Sequence, residues 1–560
     1  MGIGAARSAL AGCLVSVLFS TLLPANGAFA ELLFDTPDLA LTGRVTSSQE
    51  GAMEGVLVSA QRTGSPVSVT VVTNQAGRYS FPVNRLTPGH YALRIRAIGY
   101  ELDGPTTVDV AAKGTVTADL ALRKVDDISS QLTSTEWLIS MPGAEQKRPL
   151  IECMSCHTLE RVVRSKFTAD EFVGVLKRMA NYANNSTMQK VQARVAERDV
   201  PEDRARRVAE YLATVNLSKR DRWDYELKTL PRPTGAATRV IITEYDMPRG
   251  TIAPHDVRTD ADGFIWYSNF VEPYLGRLDP RTGAHTEFAY QLPKPSFPAG
   301  ALALEPDHDG NWWLAMMFQG GLMKFDTRTK TFHHYPLPTQ LDSDTAQQSM
   351  VMPRQSQVDG KVWTNDVNTH SILRLDLKTG AYERVDPFQG MPIGANRQHS
   401  PYGMAADKNN DLYFMDFGDE NVGRVDAKTF RATIYPTPTS HSRPRRTMLD
   451  DKGHLWFAEF AANKIGMFDL DRESIKEWDV PTPHTYPYDV YLDRNGELWV
   501  GSMSDDRVLR FDPQTGKSVE YLLPRQTNIR RIFIDNTTTP VTFWAGNNHH
   551  AAILKIEPLN

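Results

Sequence analysis

The sequence predicts a multidomain, mainly β protein: a small β-sandwich, a short α-helical segment and a C-terminal seven-bladed β-propeller. Three observations predict it. Residues 236–560 repeat with a period of about 45 residues around a tryptophan-centred strand. Residues 38–124 are short β-rich runs separated by turn residues. Between them, residues 125–232 carry amphipathic stretches at helical spacing and one C-x-x-C-H sequence.

Length and charge bound the reading before any motif does. A chain of 560 residues is long enough for three or four domains. Its 62 Lys and Arg against 67 Asp and Glu leave it mildly acidic, which argues against a nucleic-acid surface. The N-terminus has one cation, Arg7, a mostly apolar run from Ala9 to Leu23, and Ala28-Phe29-Ala30. That layout predicts a cleaved secretory peptide over 1–30 and a periplasmic protein. Leu10-Ala11-Gly12-Cys13 superficially matches a lipoprotein site, but most of the apolar stretch follows it. No later segment has the roughly 18 apolar residues of a membrane span.

The first mature segment contains Leu41 to Val45, Gly55 to Ala60, Val69 to Thr73, Tyr79 to Phe81 and Tyr91 to Ile95, punctuated by Asn74-Gln75-Ala76-Gly77 and Thr87-Pro88-Gly89. The succession "TGRV", "GVLVSAQ", "TNQAGRYSF", "LTPGHYALRIRAIGY" resembles the carboxypeptidase regulatory-like domain. That resemblance implies a transthyretin-like sandwich and a non-catalytic accessory role, with glycan binding as the alternative.

Cys153-Met154-Ser155-Cys156-His157 is the most chemically explicit stretch of the chain. Two thiols at this spacing can each add to a porphyrin vinyl group, and the adjacent His is placed to bind the iron. Cys13 lies in the leader, so the mature chain has only this pair. The competing readings are a disulfide, a redox C-x-x-C or half a zinc site, and no second C-x-x-C exists to complete the last. One covalent haem c on Cys153, Cys156 and His157 is therefore expected. Helices are predicted from Ala169 to Tyr182, with Phe172, Val175, Leu176 and Met179 on one face, and from Pro201 to Val215. With the closing "AEYLATVN" they look like a small class I cytochrome c, short and lacking a Met-Pro pair after the motif for the sixth ligand. The sixth iron ligand is expected to be Met179, because "VLKRMANY" resembles short cytochromes whose methionine lies there; Met188 in "NNSTMQK" is the alternative. No His lies between His157 and Tyr211, so a second imidazole would have to come from another domain.

In the repeats, Trp266, Trp313, Trp363, Tyr413, Trp456, Trp499 and Trp544 anchor seven units, and strands ending at Asp279, Asp326, Asp376, Asp426, Asp469 and Asp512 follow the first six. Val240 to Tyr245 is a lone strand placed to complete the last blade, which would leave no open edge. "PYGMAAD", "DLYFMDF" and "NVGRVD" look like virginiamycin B lyase and other streptogramin lyases. In that family a His in a P-H turn and acids in W-F-x-E motifs bind magnesium and assist a lactone-opening elimination. The matching positions here are Pro254-His255 and Trp456-Phe457-Ala458-Glu459, whereas the other blades carry Asn269, Met316, Asp366, Asp416, Ser502 and Asn547 at the place of the acid.

Register puts Arg354, Arg445 and Arg530 at the funnel mouth opposite Asp366, Asp416 and Glu459, an arrangement suited to an anionic or polar substrate. Ordinary inter-blade salt bridges and turn hydrogen bonds are the structural alternative. His399, His441 and His484 recur before three inner strands, and His549-His550 follows the last anchoring strand; imidazoles converging on one face suggest a second metal, copper, iron or magnesium. Taken together, the sequence predicts a haem-linked oxidoreductase. His255 is its candidate base, Arg354 and Arg445 orient a small organic substrate, and Glu459 with Asp416 act as acid-base or metal partners. A soluble cytochrome or other redox partner takes the electrons. The alternatives are a metal-dependent carbon–oxygen lyase and a non-catalytic electron-transfer or binding propeller.

Overall fold

Alternation of side chains builds the N-terminal sheets. Along Gly89–Arg96, Tyr91 and Leu93 are buried while His90, Ala92 and Arg94 are exposed, the period of two of a half-buried strand. The computed structural model describes residues 1, 38–392 and 398–559; nearly all of the predicted export signal lies outside the described residues. Strands Leu39–Ser47, Arg78–Pro82 and Leu120–Lys124 belong to one sheet, and Leu57–Arg62, Val67–Val72 and Gly89–Arg96 to a second. Leu41, Val45, Tyr79 and Phe81 of the first share one core with Val58, Tyr91 and Leu93 of the second.

Six four-stranded antiparallel sheets follow between Pro254 and Leu522. In four of the repeats the tryptophan is locked by an aspartate six residues upstream. Trp266 Nε1 donates to Asp260 at 2.7 Å, Trp313 to Asp307 at 3.1 Å, Trp456 to Asp450 at 3.1 Å and Trp499 to Asp493 at 3.0 Å. The strand-ending aspartates act on the turns instead. Asp376 and Asp426 each accept two backbone N–H groups of the turn that follows. Such side-chain turns end the third strand and reverse the chain. Gly276 in the third strand is required by packing, because a Cβ there would sit 1.9 Å from the Tyr267 ring.

The seventh sheet closes the ring with chain from both ends of the propeller. Val240–Asp246 pairs antiparallel with Ala552–Pro558, outside Thr542–Asn547 and Ile532–Asp535. Its other edge is also taken. Tyr245 to Ile241 pair with Val67 to Val71 of the sandwich, so the blade and the second sandwich sheet form one eight-stranded sheet. Arg85 forks onto Glu557 through two bonds of 2.9 Å across this seam, and Arg96 pairs with Asp506 at 2.7 Å. The sandwich is thus continuous with the propeller through backbone hydrogen bonds.

The intervening segment is helical. Thr168 caps Ala169–Ala180 and Glu171 reciprocates, a capping box; Pro201 precedes Glu202–Val215. A further helix, Ser134–Ser140, begins at the same kind of box, Thr133 with Glu136. The core of this segment is not closed on itself. Trp137, Leu138, Leu150, Met154, Phe172 and Leu212 pack in one cluster with Tyr402, Phe460, Tyr486, Tyr488 and Met503 of the propeller. Among the described residues no helix is long and apolar enough to cross a membrane.

Candidate functional site

Cys153 ends the short helix Leu150–Cys153, and fully buried Met154 caps it. Cys153 and Cys156 are free thiols, and burial pushes the Cys153 thiol up to about 12. His157 Nδ1 lies 2.9 Å from the Thr158 carbonyl, which assigns the ring proton to Nδ1 and leaves Nε2 with its lone pair. The motif is gripped from the propeller side. Asn528 Nδ2 donates to the Met154 carbonyl at 3.0 Å, Arg530 donates to the Ser155 carbonyl, and Arg530 Nε donates to Asn528 at 2.8 Å.

A cleft of about 340 Å³ opens beside the motif, walled by Cys156, His157, Met188, Gln526, His549 and His550. His549 follows strand Thr542–Asn547 in the last blade. It is half-buried overall, yet both ring nitrogens are closed off from solvent, with only the Met154 backbone drawing on one of them. Burial first, then the Arg530 and His157 charges, push its pKa down to about 3, against a weaker opposing pull from the Met154 backbone. Met188 is 52% exposed on its loop. Met179, the expected sixth ligand, is 39% exposed and does not wall this cleft, because Phe172 and Val173 are the buried residues of its helix. A larger hollow of about 540 Å³ lies between the sandwich and Thr229–Thr234, where Arg232 pairs with Glu50; it holds neither Cys nor His.

The propeller centre is a packed ion network under the helical segment. His255 is buried, its Nδ1 2.7 Å from Asp256 and its ring 4.5 Å from that of Phe270, and burial pushes it down to about 4. Asp256 pairs with fully buried Arg446 at 3.1 Å. Arg531 bridges Asp489 at 3.3 Å and Glu305 at 2.9 Å. Arg445 lies 3.7 Å from the Tyr488 ring centre and 4.3 Å from that of Phe460, and the Tyr402 and Tyr488 hydroxyls are 2.7 Å apart. Arg354 is not here. The inner strand Val351–Met352 ends before it, and it is exposed in the turn leading to helix Ser356–Asp359. Strand pairing explains the displacement: Val351 faces Thr364 and Met352 faces Trp363, as Val257 faces Tyr267 and Arg258 faces Trp266, so the residue standing where His255 stands is Ser349.

The polar residues three places after each anchor mostly cap turns. Asp416 accepts from the backbone N–H of Ser400 at 2.8 Å and Gly418 at 3.2 Å, and from Asn421 at 2.9 Å. Asp366 accepts from three backbone N–H groups, and Asn547 from those of Asn528 and His549. Glu459 differs. It is fully buried, no backbone N–H reaches either oxygen, and burial first, then the neighbouring Glu477 carboxylate through charge and hydrogen bonding, pushes it up to about 9. Lys464 pairs with Glu477 at 3.4 Å.

The three recurrent histidines do not converge. His399 Nδ1 bonds Asp416 at 2.7 Å, its ring stacks on Phe388 at 4.5 Å, and with Asp419 it makes the one trio of metal-ligating side chains found among the described residues. His441 is exposed with its backbone N–H on Glu420. His484 is half-buried, and its carbonyl receives the Thr135 and Ser504 hydroxyls. The sequence pattern does not single out Asn528, which grips the motif, or the set Phe460, Tyr486 and Met503, which meets the helices.

Comparison with known proteins adds to this geometry. Residues 387–558 match the virginiamycin B lyase family and residues 40–123 the carboxypeptidase regulatory-like domain. No curated protein matches. Among solved structures, a streptogramin B lyase is 22% identical over 58% of this chain and 100% of its own, with a TM-score of 0.49. Virginiamycin B lyase from Staphylococcus aureus is 20% identical over 57% and 99%, at 0.48. A catalytically inactive form of that enzyme with quinupristin is also 20% identical, over 57% and 99%, at 0.47. The propeller is virginiamycin B lyase-like, and a carboxypeptidase regulatory-like domain precedes it.

Proposed function

We propose that the chain is an exported, periplasmic c-type haem protein that transfers electrons, with the propeller as the platform on which the haem segment is built. The observation that carries this reading is the grip of Asn528 and Arg530 on the carbonyls of Met154 and Ser155, between the two cysteines of the motif. The donor set suits the group. Both thiols are free, His157 presents Nε2, and a cleft in the size range of cofactor sites lies against Cys156 and His157. Bound there, haem c supplies a reversible one-electron couple.

The chain's own residues do the rest. Cys153 and Cys156 tether, the Thr158 carbonyl fixes the His157 tautomer, and Arg530 places a cation beside the site. Because His255, Tyr402 and Tyr488 are buried, with Tyr402 and Tyr488 in one core with the helices, electron exchange at the cleft is favoured over oxidation of a substrate in the funnel. The match of residues 387–558 to a lyase family favours a second reading, carbon–oxygen elimination with Glu459 as the proton donor.

Expression in a host that matures c-type cytochromes tests the first reading. The purified protein is expected to carry one covalent haem, lost in Cys153→Ser and Cys156→Ser. A folded wild-type protein without covalent haem would sink the reading and leave the lyase.

A further inference from the structure

We propose that His549 of the seventh blade is the second axial ligand of the haem iron, so that one haem site is made jointly by the helical segment and the propeller. This rests on the haem reading above and deepens it.

Three observations converge on His549. Both of its ring nitrogens are enclosed; one is drawn to the Met154 backbone, which leaves the other with its lone pair, and an imidazole so placed at the wall of a cofactor cleft is suited to bind a metal. The same cleft is walled by His157, whose Nδ1 is committed to the Thr158 carbonyl and whose Nε2 is the first ligand. The position of His549 relative to the motif is also fixed by bonds. Asn547 Oδ1 accepts the His549 backbone N–H at 3.0 Å and that of Asn528 at 3.3 Å, and Asn528 in turn holds the Met154 carbonyl at 3.0 Å. A single run of hydrogen bonds therefore leads from the turn carrying one imidazole to the C-x-x-C-H loop carrying the other.

The rivals are less well placed. Met188 walls the cleft but is 52% exposed on a loop. Met179 is away from it, and His550 is exposed. Ligation by His549 would also account for fusing a short cytochrome that has no Met-Pro pair after its C-x-x-C-H motif to a propeller, since the propeller completes its coordination.

The test uses the full-length haem protein. The oxidised wild type is expected to be low-spin, with the electron paramagnetic resonance of two imidazole ligands and without the far-red sulfur-to-iron charge-transfer band. His549→Ala is expected to keep its covalent haem, become high-spin and return to low-spin with added imidazole. His549→Met is expected to gain the sulfur band, while Met188→Ala and His550→Ala leave the spectrum unchanged. A sulfur band in the wild type that disappears in Met188→Ala, or a low-spin spectrum in His549→Ala identical to wild type, would overturn the assignment. Where His549→Ala does not fold, the sulfur band of His549→Met and the unchanged spectrum of His550→Ala carry the test. Absence of covalent haem from the wild type is a separate result, and it refutes the haem reading itself.

Discussion

Glu459 is the one member of the W-F-x-E match whose environment is unlike that of its counterparts, and the difference has a measurable sign. Asp366, Asp416 and Asn547 at the same place in their repeats are bonded to backbone N–H groups, whereas Glu459 is enclosed with no backbone N–H on either oxygen and the Glu477 carboxylate beside it. Its folded pKa of about 9 exceeds the ordinary 4.5. Between these values the folded protein keeps a proton that the unfolded chain has released, so stability falls as pH rises through the window and is unaffected below it. Glu459→Gln, which needs no proton, is expected to come close to wild type in urea unfolding at pH 4.5 and to exceed it by up to about 5 kcal/mol at pH 8. Equal stabilities at both pH values would show that the carboxyl is ionised in the fold. At this scale the sequence identifies the residue but not its state. The motif marks Glu459, while the Glu477 charge that raises it stands in the next outer strand, where no local pattern announces it.

At the level of the single blade, sequence is a good guide because the decisive contacts are local. The aspartate six residues before the tryptophan, in the four repeats that carry it, and the aspartate closing the third strand bond within their own hairpins, so those repeats print their own tie; Trp363 bonds the Asn410 carbonyl of the next blade instead. The helices Ala169–Ala180 and Glu202–Val215 are legible for the same reason, their caps lying within three residues of the periodic stretch. Thr133 with Glu136 carries the same signal for Ser134–Ser140, a helix the periodicity does not predict because it is too short to show one. The inner-strand register of the third blade is not legible, and its likeness to Arg445 misplaces Arg354 in the funnel. The local tie itself can be measured. Asp493 accepts Trp499 Nε1 at 3.0 Å and the backbone N–H groups of Asn495 and Glu497 at 2.8 and 3.0 Å. Asp493→Ala leaves a fully buried indole N–H unpaired and is expected to lower the urea midpoint by an amount equivalent to about 1–3 kcal/mol, with the slope unchanged; Asp493→Asn, which keeps an acceptor, is expected to lose less. An alanine variant as stable as wild type would assign the tie no weight.

Over the whole molecule, the arrangement departs from three independent modules on a string. The helical segment shares its core with Tyr402, Phe460 and Tyr488, and the sandwich adds its strand Val67–Val72 to the closing strand of the propeller. Neither junction has a sequence signature, since Val69 and Thr243 pair across a large separation and an edge strand reads the same whether or not another sheet joins it. The sequence predicts an accessory domain; the eight-stranded sheet makes the sandwich the cover of an edge that ring closure alone would have left open. Coupling of this kind is testable because all ten tryptophans lie outside the sandwich, so their fluorescence follows the propeller and the helices. Val69 sits between Ala60 on one side and Thr243 on the other, in a strand bonded on both edges. Val69→Pro removes a ladder donor there and opens the seam. If the two sheets unfold as one unit, this change in the sandwich is expected to lower the tryptophan-detected Tm by at least about 2 °C. A tryptophan transition that stays in place while the sandwich unfolds by circular dichroism would instead make the seam a contact without cooperative weight, and the propeller a body that closes by Val240–Asp246 alone.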